Sequence, residues 1–186
     1  MIEITSLWAP ILVSAIIVFV VSSIVHMGPF WHRTDFPRLA NEAQFIEVVR
    51  PLALAPGDYM VPKPASMSDM RSAEFIEKTN KGPVVLMTVM PNGVMAMGAS
   101  LLKWFIYLVI ISLLTAYITG HALERGAPYL RVFQVAGATA FVSYAAALWP
   151  MSIWYRRGWG LTFKGTLDGL IYGLFTAGTF GWLWPR

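Results

Sequence analysis

Four long apolar blocks constrain this chain more than any other feature. Leu7 to Met27 is a run of 21 residues without a formal charge. Leu101 to Gly120, Val132 to Trp149 and Thr166 to Trp184 are similar, interrupted only by Lys103 and Asp168. A hydrocarbon core about 30 Å thick takes roughly 20 apolar residues of helix to cross. The pattern predicts an all-α membrane protein with four transmembrane helices, at about 7–27, 101–120, 132–149 and 166–184. Residues 1–186 form one membrane domain. The long connection, 28–100, is expected to form a small α+β cap between helices one and two.

Composition narrows the function classes. Hydrophobic residues make up 56% of the chain and charged residues 13%, against about 25% charged in an average soluble domain. Cysteine is absent, which removes disulfides, thiolate metal sites and a cysteine nucleophile together. No basic run is present, so nucleic acid is not an expected partner; the lipid bilayer is. The residues before the first block, Met1 to Ser6, carry Glu3 and no Lys or Arg. A cleaved signal would start positive, so the first block reads as a retained span.

Basic residues suggest an orientation. With four spans, one face holds Arg125, Arg131 and Arg186, and the other holds the remaining eleven of the fourteen Lys and Arg. Positive residues favour the cytoplasmic side. Both termini are then expected to be periplasmic and the long loop cytoplasmic. Tryptophans at the block ends, among them Trp8, Trp31, Trp104, Trp149, Trp154, Trp159, Trp182 and Trp184, read as an interfacial belt.

Within the long loop, Asn41 can cap a helix over Glu42 to Val49, with Gln44 as capping-box partner, and Pro51 stops it. Pro56-Gly57 is a turn before a short extended piece, Asp58 to Val61. Ser68 is expected to open a second helix, roughly Asp69 to Thr79. Val84 to Met90 is rich in β-branched residues between Pro and Gly boundaries, which favours a buried strand.

Three groups are candidate sites. Gly165, Gly169, Gly173, Ala177 and Gly181 recur every fourth residue, forming a flat stripe that lets another backbone approach. Internal packing against span one or three is expected; a dimer face is the alternative. Asp168 lies about one turn inside span four, where a carboxylate needs a partner. Lys164 and Tyr172 are one turn away on either side, and a Lys164–Asp168 pair is expected. Finally, His26 and His32, with Met27, Met87 and Met90, could ligate copper(I), since thioethers suit soft ions. Methionine packing is the plainer account of those residues, and His26 then anchors the end of span one. His121, at the other end of span two, lies across the bilayer from His26. No Walker loop, G-x-S-x-G or H-E-x-x-H motif occurs, which leans against an enzyme.

The segments Ser22-Ser23-Ile24-Val25-His26-Met27, Trp31-His32-Arg33-Thr34-Asp35, Pro56-Gly57-Asp58-Tyr59-Met60, Asp168-Gly169-Leu170-Ile171-Tyr172 and Gly178-Thr179-Phe180-Gly181-Trp182-Leu183-Trp184-Pro185 resemble a family of small, uncharacterised bacterial membrane proteins. The resemblance implies a location in the bacterial inner membrane, and it implies no activity and no catalytic residue. Three functions are therefore expected, in order. The first is a non-enzymatic accessory or assembly subunit that meets another membrane protein or a second copy of itself. The second is a copper-handling membrane protein. The third is a small transporter or channel with Asp168 on its path.

Overall fold

A computed structural model describes residues 2–28 and 31–186. The chain divides into two compact units, one made of Met1–Phe36 with Ala96–Arg186 and the other of Pro37–Met95. The first unit is helical. Helix α1 spans Trp8–Met27, and a short 3-10 turn, Ile4–Leu7, leads into it. Helix α4 spans Met97–Ala122, and α5 spans Tyr129–Ala145. A 3-10 turn, Ala146–Leu148, carries α5 into α6, Trp149–Tyr155. Helix α7 spans Trp159–Trp182.

Three of these helical stretches are long and apolar enough to cross a membrane: Ile4–Met27, Met97–Ala122 and Tyr129–Tyr155. Helix α7 matches them in length, at 24 residues, but is less apolar. Its glycines, threonines, Lys164 and Asp168 dilute the leucines and phenylalanines. It also begins seven residues before the expected start at 166, because Trp159 to Phe163 form its first turns rather than a loop.

Helix α1 packs against α4 and α7, and α5 packs against the same two. The interior joins apolar side chains such as Leu7, Leu108 and Phe180 to many small and hydroxylated residues: Ser14, Ser112, Ala116, Thr115, Thr119, Ala136, Ala140, Thr176 and Ala177 are all buried. Large apolar side chains such as Ile16, Val20, Ile110, Leu114 and Leu174 face outward. A water-soluble helical protein would bury the leucines and expose the serines. In lipid, hydrophobicity does not distinguish inside from outside, and close packing and hydrogen bonds drive association. Ser14 donates to Ser112 Oγ across α1 and α4 at 3.0 Å.

The small-residue stripe of α7 faces α5. A Cβ added to Gly173 would lie 3.2 Å from Phe141 Cβ and 3.3 Å from the Gly137 carbonyl. One added to Gly169 would lie 3.0 Å from Ala145 Cβ, and one on Gly165 would lie 2.9 Å from a Leu148 methyl. Ala177 sits against Gly137, and Gly181 lies under the Tyr129 ring. The far end of the unit is tied by Ile2 N–H to the Gly120 carbonyl at 2.9 Å and by Trp184 Nε1 to the Glu124 carbonyl at 3.0 Å.

The second unit, Pro37–Met95, holds helix α2 over Glu42–Val49, strand β1 over Gly57–Val61, helix α3 over Ala73–Lys81 and strand β2 over Val85–Val89. The strands pair antiparallel, with Tyr59 opposite Met87 and Asp58 opposite Thr88. Three local expectations are corrected. Asn41 precedes α2 but makes no side-chain cap bond. Ser72, not Ser68, caps α3 by accepting from Phe75 N–H at 3.1 Å; Asp69–Arg71 form a separate 3-10 turn. Strand β2 is largely exposed rather than buried, because a two-stranded ribbon offers no second layer to cover it.

Candidate functional site

The polar cluster of the helical unit lies where α1 ends and α7 begins. Asp168 is 4% exposed, on α7 one turn after Lys164. Burying a carboxylate costs several kcal/mol unless it gains partners. Two come from the segment that follows α1. Trp31 Nε1 donates to Asp168 Oδ1 at 2.8 Å, and His32 Nε2 lies 3.1 Å from Asp168 Oδ2. The expected Lys164–Asp168 pair is replaced. Lys164 Nζ reaches Asp35 Oδ1 at 2.6 Å and Thr34 Oγ1 at 3.3 Å, with its ammonium 5.9 Å from the centre of the Trp31 ring. One turn of helix puts Lys164 and Asp168 on one face, but the Trp31–Asp35 segment lies between their charged ends and satisfies both.

His32 is held from its other side by Asp35, whose Oδ2 is 2.6 Å from Nδ1. A carboxylate only accepts, so Nδ1 carries the proton. The Lys164 hydrogen bond, aided by that from His32, holds the Asp35 carboxyl below its ordinary value. His26 stacks on His32 with ring centres 4.3 Å apart and planes 14° from parallel. Its Nδ1 donates to the Ser22 carbonyl at 3.0 Å, and the Tyr172 hydroxyl is 3.4 Å away. Both imidazoles therefore spend Nδ1–H on the protein and leave Nε2 as the free donor of a lone pair.

The contact between His32 Nε2 and Asp168 is the unusual one. The nitrogen is buried and, although 3.1 Å from Oδ2, is not in line for a hydrogen bond. In the neutral tautomer set by Asp35, it presents a lone pair to a carboxylate. Two carboxylates also face a single lysine, which leaves one uncompensated negative charge when both imidazoles are neutral. A second proton on His32 or a bound cation resolves both problems. Nitrogen and oxygen ligands bind zinc at about 2.0–2.2 Å, so two of them on one ion stand about 3.1 Å apart at an angle near 95°. One donor atom each from His26, His32 and Asp168 lies within 4.8 Å of the others. Closing on one ion requires His26 to turn out of its stack, since two parallel rings cannot both aim a lone pair at one point. His26 is exposed, and turning would give up its Nδ1 bond to the Ser22 carbonyl.

The methionines of the expected copper set are divided between the two units. Met27 is 83% exposed, and Met87 and Met90 belong to the Pro37–Met95 unit. The donors brought together are two imidazoles and a carboxylate. Sequence reasoning did not assign Trp31 and Asp35 to the site, although the i, i+3 spacing of His32 and Asp35 was a usable signal for the ion pair. Trp31 spends its indole N–H on Asp168 in a part-buried hydrogen bond, and Trp104 does the same with Ser22, its Nε1 donating to Ser22 Oγ at 2.9 Å.

Next to the cluster is an open cleft of about 530 Å³ between α4, α5 and α7. His26, Asp168 and Lys103 are its acidic and basic lining, and Trp104, Tyr107 and Tyr144 form much of the wall. No protein-family model, curated protein or solved structure matches the chain.

Proposed function

We propose that this chain is an integral membrane protein of four spans that binds a divalent transition-metal ion through His26, His32 and Asp168. Helix α7 is about 36 Å long at 1.5 Å per residue, enough to cross with the other three as a four-helix bundle. Its polar residues face α5 and the cluster rather than lipid. The observation that carries the metal reading is the buried His32 Nε2, out of line for hydrogen bonding and directed at the Asp168 carboxylate. Imidazole and carboxylate donors suit zinc or another borderline divalent ion better than copper(I), which prefers thioethers. Three protein ligands leave a position open for water or a substrate group. Asp35 would act as the partner that orients the His32 ring. The resemblance implies a bacterial inner-membrane setting, and the basic count favours the cluster on the cytoplasmic side and both termini periplasmic.

The test is metal analysis of the protein purified in mild detergent, loaded with zinc and dialysed. About one equivalent should remain, and His32→Ala and Asp168→Asn should each lose it. A parent protein that retains no ion, or variants that retain it fully, would overturn the reading. Reporter fusions after Arg186 and within the loop near Lys63 test the orientation, expected to be periplasmic and cytoplasmic respectively.

A second reading, an accessory or assembly subunit, is favoured by the Pro37–Met95 unit. Among its described residues none is fully buried, and Phe45, Val48, Leu52, Met67 and Val84 are more than half exposed. Site-specific cross-linkers at Phe45 and Met67 in intact membranes should then yield one discrete adduct with a protein. No adduct from either site would remove this reading.

A further inference from the structure

We propose that the cleft beside the cluster receives an anionic lipid, with its phosphate held between Lys103 and the metal site and its chain against the Tyr107–Tyr144 wall. This deepens the metal reading by naming what the site would act on or carry. Lys103 lies within the first two turns of α4 and makes no ion pair among the described residues. Asp168 lines the same cleft and is engaged by Trp31 and His32. With an ion on the cluster offsetting the Asp168 carboxylate, Lys103 leaves the lining of the cleft with a net positive charge. An exposed lysine on a span can simply reach toward water. Here it stands at the rim of a concave surface whose volume suits a head group and the first part of a chain.

The wall suits the rest of an amphiphile. Trp104 and Tyr107 stack at 5.4 Å, and Tyr107 meets Tyr144 edge-on at 6.2 Å. These rings place an apolar surface just below the lysine, at the depth where aromatic side chains meet lipid head groups. Basic pockets between membrane helices bind anionic head groups in this way. An ion on His26, His32 and Asp168 would add a second positive end. Without an ion the lysine and the wall still provide a weaker site, so the two proposals fail separately.

Native mass spectrometry of the detergent-solubilised full chain tests this, with phosphatidic acid as the probe and phosphatidylcholine and glycerol phosphate as comparisons. Phosphatidic acid should bind at one copy and at least about tenfold more tightly than phosphatidylcholine. Lys103→Gln should lower its occupancy about tenfold, and Ser100→Trp, which fills the cleft mouth, should abolish it. Both variants should keep the metal. Lys81→Gln, an exposed lysine of the other unit, should change nothing. Equal binding of both lipids, or full binding by Lys103→Gln and Ser100→Trp, would overturn the lipid site. Glycerol phosphate binding as tightly as the lipid would overturn the role of the wall. Loss of metal from His32→Ala with lipid retained at reduced occupancy supports both proposals. Lipid selectivity in a protein that never binds metal supports this one and defeats the other.

Discussion

The helical unit and the Pro37–Met95 unit solve folding in opposite ways. The first brings residues distant in sequence into contact: α7 lies on α5 over glycine and alanine, Ser14 meets Ser112 98 positions away, and Asp168 meets Trp31 137 positions away and His32 beside it. The second is held by local helix devices and by one strand pair. These are a serine cap, a two-stranded ladder, the Thr88–Asp58 hydrogen bond at 2.6 Å, and i, i+4 ion pairs such as Lys78 with Glu74 and Lys81 with Glu77. Its residues remain largely exposed. The difference teaches where substitutions should hurt. In the helical unit a single atom at a backbone contact matters. In the other unit most side chains can change singly at little cost, because exposed pairs are worth little.

The largest expected effect is at the α5–α7 contact. Gly173→Leu should prevent accumulation of folded protein, because even the first carbon would stand 3.2 Å from Phe141. Overpacking of this kind costs about 1–3 kcal/mol or more. Detergent-stable yield measures it. If folded protein persists while an oligomer dissociates, the stripe is a subunit interface.

Asp168→Asn should come next. It removes the charge from the Trp31 bond and turns the His32 contact into an amide contact, at a cost of about 1.5–3 kcal/mol for charge-assisted bonds. Thermal unfolding followed by near-UV circular dichroism of the tryptophans should report a lower midpoint. An unchanged midpoint would mean that the cluster is not structural.

The Lys164–Asp35 pair should show itself through acid. Its folded carboxyl lies below the ordinary value of 3.8. The stability it contributes is complete above that value and is lost as pH falls through the lower folded one. Lys164→Gln should therefore flatten the acid limb of the stability profile below about pH 4 while shifting the neutral plateau down. A parallel shift at every pH would show that the pair does not set the titration.

Within the other unit, Ser72→Ala removes the only side-chain cap bond found for its helices. Loss of such a cap costs about 1 kcal/mol. Faster amide exchange confined to α3 should reveal it, and exchange that spread into α1 or α7 would break the contrast drawn between the units. The smallest effect is expected at Lys78→Ala. Its pair with Glu74 is exposed, and no measurable change in stability should follow.

Sequence reasoning was most accurate where the cause is local. The expected range of α2, Glu42 to Val49, is the observed one. The extended piece Asp58–Val61 lies within β1. Both follow from neighbouring Pro, Gly and Asn residues. Boundaries slipped where a polar residue could be carried inside a helix, as at the start of α7 with Lys164. The site was half legible. Asp168 and the two histidines stood out as costly residues near apolar blocks, whereas Trp31 looked like one interfacial ring among eight tryptophans and Asp35 like an ordinary loop acid.

What the sequence alone determined is the set of long apolar segments and the small-residue stripe, because length, hydropathy and a four-residue period are properties of a single segment. Tertiary structure alone decided which partner each polar group takes. Lys164 and Asp168 are one turn apart on one helix, yet Lys164 bonds Asp35 and Asp168 bonds Trp31. That choice depends on the rotation and height of α7 against α1 and the segment after it. Those are set by how closely glycines let the helices approach, and hydropathy carries no record of them.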